Sequence, residues 1–310
     1  MILRNEHLRH NPAVFRSVTG LLVAEFDTVV EDIAPLLQKQ LRLRLERPER
    51  QRAIGGGTPF SLSLRDQILL TIVWLRIYPT NELLGYLLGV SDSTVSRIVS
   101  RVVPLLETTG QATMRMPDPG RKHRHTLDTL LAEMPELVVI VDSFEQRVQR
   151  PQDMADAKRY YSGKKKQHTL KSQVAVNAHT GQIVAVSDSV PGPTADLTVL
   201  RDSHLCATLP PGVGVIGDLA YIGIVAEHPE GLAGTPRRKP RKKERSVEDI
   251  AYNKDFASKR IKVEHTLGRM RRFQSISQMD RHHRQNHTPR VQAVAGLVNR
   301  QMRRHVRYAA

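Results

Sequence analysis

The sequence predicts an α-helical region followed by a mixed α/β domain, and three observations carry that prediction. Apolar residues recur at helical spacing through the first third of the chain. From Glu136 onward the pattern switches to short β-branched runs bounded by turn residues. A length of 310 residues also exceeds what one core comfortably fills, so two domains are expected.

The first helix is expected from Thr19 to about Arg47, where Leu22, Phe26, Val29, Val30, Ile33, Leu36, Leu37 and Leu41 mark one face. The Gly-rich break "IGGGTP" separates it from a second helical block that starts near Ser61. Within that block, "NELLGYLLGVSDSTVSRIVSRV" has the offsets of a helix-turn-helix. Gly85 is small where two helices cross, Gly89 lies at the turn, and Leu84, Leu88, Val90, Val95 and Ile98 fill the apolar positions. Ser91 or Asp92 can cap the second helix. That helix would present Ser93, Thr94, Ser96, Arg97 and Arg101 outward, a set suited to phosphates and base edges in a major groove. An ordinary helical hairpin is the plainer alternative. Leu69, Ile72 and Trp74 on the preceding helix are expected in the core.

Four strands are expected in the second half: "LVVIVD" (137–142), "TLKSQVAVN" (169–177), "QIVAVSDSV" (182–190) and "GVGVIGD" (212–218), with "NAHTGQ" as a tight hairpin connection. After Gly217 the chain turns helical again, with Val263, Leu267 and Met270 on one face. The expected division is 1–60 helical, 61–125 helix-turn-helix, 136–280 the mixed α/β domain, and 281–310 a basic C-terminal helix or tail.

Charge narrows the function classes. With 47 basic against 31 acidic residues, a net charge of +16 and a pI near 10.3, the chain favours a polyanionic partner, double-stranded DNA first. The longest apolar stretch, "ILLTIVWLRIY", is far short of a membrane span. The opening residues are too polar for a secretion signal and Cys206 is the sole cysteine, so a cytoplasmic, nucleoid-associated protein is expected. The histidines of "HRHT" and "RHHRQNH" have no metal-site spacing and read as surface residues.

Three carboxylates stand out. Asp142 directly follows "LVVIV" and Asp218 directly follows "VGVIG"; each alone fits a turn residue at a strand end. If those strands are parallel neighbours, both emerge at one sheet edge, where ligands bind in α/β folds. Glu264, in "KVEHTLGRMRRF", alone fits an ion pair with Arg260 or Arg271. On a helix packed across the sheet it would instead complete a set of oxygen donors suited to Mg²⁺. Two such ions, roughly 4 Å apart, serve the attacking and leaving oxygens of phosphodiester cleavage. Gly268, one turn on, would leave room for a phosphate.

At these residues the chain resembles the DDE transposases of bacterial insertion sequences, in the branch related to the Harbinger transposases. The matching segments are "RPQD", "YYSGKKKQHTLKSQ", "PGPTADLTVLR", "GDLAY" and "RIKVEHTLGRMRRF", in the family's order and preceded by its helix-turn-helix over roughly residues 60–280. The resemblance implies a ribonuclease H-like domain with a mixed five-stranded sheet, its first and fourth strands adjacent. It places Asp142, Asp218 and Glu264 on the catalytic metal triad, with two Mg²⁺ or Mn²⁺ ions, and Asp196 on an accessory position. It implies binding to element ends, hydrolysis and strand transfer, with a homodimer or larger assembly on DNA. Lys164, Lys165, Lys166, Arg269, Arg271 and Arg272 would contact phosphates. Two departures bear on loop geometry: Phe144 in a usual Thr position, and Ala220 where the family has Gly before Tyr221. A DNA-binding regulator or decayed copy without chemistry, and a nuclease without strand transfer, are the alternatives.

Overall fold

The computed structural model describes residues 3–46, 60–120, 126–228 and 231–307. The break "IGGGTP" and the histidines of "HRHT" lie outside the described residues. Helices α1 (Asn5–Leu8), α2 (Pro12–Thr19), α3 (Val23–Leu45), α4 (Leu64–Ile77), α5 (Asn81–Leu88), α6 (Asp92–Gln111) and α7 (Leu127–Glu133) precede the sheet. The sheet comprises β1 (Val138–Arg147), β2 (Tyr161–Ser162), β3 (Gln167–Asn177), β4 (Ile183–Val186), β5 (Val190–Pro191), β6 (Gly214–Ile216) and β7 (Ala233–Gly234). Around it lie α8 (Met154–Tyr160), α9 (Asp196–Asp202), α10 (Leu205–Thr208), α11 (Ile224–Glu227), α12 (Val247–Arg271) and α13 (His287–Arg307).

The first expected helix starts later than Thr19. Gly20 takes a left-handed φ of 78° and ends α2, so Leu22 becomes the residue capping α3. The helix-turn-helix forms as its glycines require. A Cβ on Gly85 would come within 2.5 Å of the Val90 carbonyl oxygen, and Gly89 closes α5 at φ 69°. Leu69, Ile72 and Trp74 are buried beneath it.

β1 pairs antiparallel with β3 and parallel with β6, and β6 pairs parallel with β7. Since β1 occupies one edge of β3 from Thr169 to Asn177, β4 and β5 must follow one another along the other edge. The sheet is therefore five strands wide although seven segments are extended, because the third expected strand breaks between Val186 and Val190 and the two-residue β2 pairs with the start of β3. Its first long strand and the one beginning at Gly214 are adjacent and parallel, as the ribonuclease H-like fold requires.

Alternation along β1 splits the core. Val138, Ile140 and Phe144 face one cluster with α12, α13 and the N-terminal helices, whereas Val139 and Val141 face a second with α9, α10 and α11. One hydrophobic cluster thus runs from Leu8 to Met302, joining the helix-turn-helix to the sheet domain. The expected basic tail is a core element: residues 291–300 of α13 are all buried. It crosses α6 so closely that a Cβ on Gly296 would lie 2.3 Å from the Gly110 Cα. Its buried cations are matched, Arg300 by Asp32 at 2.7 Å and Arg290 by a two-point pair with Asp280.

His287 corrects the expectation that the histidines of "RHHRQNH" lie on the surface. It is fully buried, with Nε2 2.8 Å from Gln146 Oε1 and Nδ1 2.6 Å from Ser189 Oγ. The Gln146 amide nitrogen already donates to the Ser275 and Gln278 carbonyls. Its oxygen therefore accepts from His287 Nε2–H, which leaves Nδ1 to accept from Ser189. Burial, then Arg290, push the imidazole down to about 3. Below the unfolded value near 6.5, the unfolded chain takes up a proton that the native state refuses. Stability should therefore fall with decreasing pH, by up to about 1.4 kcal/mol per pH unit between roughly 6.5 and 3. Urea midpoints measured downward from neutrality should show this slope, and His287→Gln should flatten it; an unchanged slope would assign the acid sensitivity elsewhere.

Candidate active site and nucleic-acid faces

Ile140 stands opposite Ile216 in the parallel β1–β6 pairing, so Asp142 and Asp218 each lie two residues past the same rung. Parallel neighbours are about 4.8 Å apart. Both carboxylates consequently reach one notch, where β6 stops and β1 runs on. That β1 continues to Arg147 corrects the reading of Asp142 as the end of its strand. Pairing with β3 persists on the far side, and the buried Phe144 and Gln146 hold the extension in the fold. Phe144, in place of the family's Thr, fills core on the α12 side.

Asp218 is oriented by its own loop: its Oδ1 accepts from the Ala220 amide at 2.9 Å. Ala220 has no positive φ, so the missing glycine costs this turn nothing. Tyr221 is fully buried, and its hydroxyl accepts from Gln173 Nε2 at 2.9 Å. Gly217 makes that possible, since a Cβ there would lie 2.7 Å from the Tyr221 ring.

Asp196, at the start of α9, lies near enough for its charge to be felt by Asp142 but on the other face of β1, the side of Ser143. It accepts from Ser143 Oγ and pairs with the buried Lys171 at 3.0 Å. Burial raises the Asp142 carboxyl above its ordinary value; the Ser143 amide and Arg260 oppose this, while Asp218 and Asp196 add to it. Arg260 of α12 brings Nη2 within 3.7 Å of Asp142 Oδ2, and its buried Nε has no hydrogen-bond partner.

Glu264 does not meet the two aspartates. It is exposed on α12, and among the described residues no three His, Cys, Asp or Glu side chains gather closely enough to hold an ion. Nor does Glu264 pair with Arg260, which instead turns toward Asp142. At 100° per residue, Glu264 lies about 40° round the helix from Arg260 and one turn along. The buried stripe of Phe256, Val263, Leu267 and Met270 sets this orientation and leaves Glu264 on its flank. Gly268 has open space around it. Arg260, expected only as an ion-pair partner of Glu264, is instead a neighbour of Asp142. The oxygen donors of Asp142 and Asp218 fit one hard divalent cation whose remaining ligands are water or phosphate.

The expected DNA-contacting residues divide. Ser93 and Arg97 are exposed on α6, with Arg97 Nε donating to the Ser93 carbonyl at 3.1 Å. Thr94 is half-buried against the capping Ser91. Arg101 is drawn inward: it donates to Gln67 Oε1 at 3.1 Å and lies 5.7 Å above the Phe60 ring, tying α6 to α4. Lys164, Lys165 and Lys166 are exposed on the turn between β2 and β3. Arg271 and Arg272 are exposed as well, whereas Arg269 is half-buried and reaches Met302 Sδ on α13 at 3.0 Å. Arg97→Ala should therefore weaken sequence-specific binding by about 1–3 kcal/mol of discrimination. The check is competition between cognate and random duplexes, and undiminished preference would move recognition elsewhere.

The model of the "DDE superfamily endonuclease" family matches residues 141–299, and that of the "Helix-turn-helix of DDE superfamily endonuclease" matches 60–112. The transposase assigned to insertion sequence element IS702 of Microchaete diplosiphon is 30% identical over 81% of this chain and 85% of its own. That assigned to IS112 of Streptomyces albus G is 27% identical over 74% and 77%. Among solved structures, the pre-cleavage Mos1 transpososome aligns at 11% identity over 94% of this chain and 95% of that one, with a TM-score of 0.23. On the family match across its sheet domain and the identity to the first of these relatives, the chain belongs to the DDE superfamily endonucleases.

Proposed function

We propose that this protein is a transposase that binds the ends of its own mobile element, hydrolyses a phosphodiester there and uses the freed 3′-hydroxyl to attack a phosphodiester of target DNA, joining the element end to the target and releasing the target strand's own 3′-hydroxyl. The observation that carries the reading is that Asp142 and Asp218 each lie two residues past the same rung of parallel neighbours, at a notch bordered by Arg260. Asp142 and Asp218 would hold a divalent cation, Mg²⁺ or Mn²⁺, and Glu264 would swing from the flank of α12 to complete a second site. The cations supply charge stabilisation at the attacking and leaving oxygens. Arg260 balances Asp142 before DNA arrives and then faces the phosphate that enters. Asp196, held by Lys171 and Ser143 on the other face of β1, acts on Asp142 through its charge. Ser93, Thr94 and Arg97 read the ends, and Lys164, Lys165, Lys166, Arg271 and Arg272 grip backbone, with a homodimer or larger assembly on the DNA. Arg101 and Arg269 support these surfaces from within. Being one family with helix-turn-helix endonucleases, and similar to chains assigned to insertion sequences, supports the reading.

The test is a cleavage assay with Mg²⁺ or Mn²⁺ on DNA carrying the element's ends, followed for new 3′-hydroxyls and for their joining to a second duplex. Binding without cleavage would favour the DNA-binding regulator or decayed copy. Cleavage without joining would favour a nuclease.

A further inference from the structure

Beyond the notch, the continuation of β1 leads to a recess of about 300 Å³ lined by Arg147, Val148, Arg150, Tyr161, Lys166 and Met279 among others. Arg147, Arg150 and Lys166 are exposed, and no carboxylate lines the recess. Tyr161 is 46% exposed and is held edge-on to His168, with ring centroids 5.5 Å apart. Met279, 40% exposed, adds apolar surface beside it. Lys166 takes a left-handed φ of 52° where the β2–β3 turn closes. A non-glycine residue there is uncommon and marks a turn whose shape is set by its surroundings.

We propose that this recess binds an unpaired nucleotide of the DNA strand, its base against Tyr161 and Met279 and its phosphates on Arg147, Arg150 and Lys166. Duplex backbone needs only cations, because its bases are stacked inside and their faces are hidden. A cationic rim around an exposed aromatic ring and an apolar floor is the chemistry of single-strand binding, in which a ring stacks a base without regard to sequence. Position agrees with this. Five residues of extended chain separate Asp142 from Arg147, about 17 Å. At roughly 3.4 Å per stacked nucleotide, and more where the strand is extended, that is at most about five steps from the phosphate at the notch. A strand lying along β1 would thus enter the recess a short way from its point of cleavage. The inference rests on the reading that the protein handles DNA, and it does not involve the metal site.

The experiment uses the full chain in the presence of a chelator, with a labelled random-sequence duplex, blunt or carrying a single-stranded extension of about six nucleotides. The extension should tighten binding about tenfold. Tyr161→Ala should abolish that gain while leaving the affinity for blunt duplex, and Tyr161→Phe should keep it. Thermal melting of each variant guards against a folding defect, and Tyr161→Phe tests the stacking even if the alanine variant fails to fold. Equal binding of the two probes by the wild type, or a gain that survives in Tyr161→Ala, would overturn the proposal. So would Arg147→Ala and Arg150→Ala weakening both probes equally with Tyr161 silent, which would make the recess a duplex phosphate contact. Failure to bind either probe would instead strike at the DNA-binding reading on which the proposal depends.

Discussion

Asp218→Asn, and separately Asp142→Asn, should lower DNA cleavage by at least about 10²–10³-fold while leaving binding to the element's ends intact. That range is what loss of one pre-organised electrostatic group at a reacting centre typically costs. Asn keeps the shape of each side chain, and at Asp218 its oxygen can still accept from the Ala220 amide, so the local turn should survive. What disappears is charge. The two aspartates each lie two residues past the Ile140–Ile216 rung on separate strands, so neither can substitute for the other without backbone movement. The comparison to make is single-turnover cleavage beside equilibrium binding. Wild-type cleavage by either variant would remove that carboxylate from the active site.

The pair was legible because each aspartate follows an apolar run that must be strand, and because parallel neighbours bring equivalent positions together. The length of β1 was not. A strand reads as finished at its first polar residue, yet pairing with β3 carries this one on to Arg147. The helix-turn-helix was legible from glycine spacing, since Gly85 and Gly89 each answer a backbone requirement visible in sequence. The burial of α13 was hidden for a different reason. Arg290 and Arg300 look like solvated charges until Asp280 and Asp32 meet them, and Asp32 lies far away in the chain. The same holds for His287, whose partners Gln146 and Ser189 lie on the sheet side of the fold. Arg101 and Arg269 show the converse, cations on a basic helix face that packing recruits inward.

Glu264→Gln separates a metal-ligand role for Glu264 from a merely exposed position in one measurement. The residue is exposed and unpaired in the structure, so the substitution should change stability by no more than about 0.5 kcal/mol. An ion pair with Arg260 or Arg271 does not form among the described residues, and Arg260 turns to Asp142 instead. If Glu264 swings in as a metal ligand, cleavage should collapse, again by about 10² or more. Binding should hold or tighten, since a negative charge has left a surface that faces phosphates. Arg260→Gln provides the counterpart. Freed of its guanidinium neighbour, Asp142 should bind a divalent cation more tightly in the absence of DNA, readable as a larger cation-induced rise in melting temperature. The two variants therefore move different observables, one the chemistry with DNA bound and the other the cation affinity without it. Near-normal cleavage by Glu264→Gln would leave the chemistry to Asp142 and Asp218 and would sink the assignment of Glu264 to the active site.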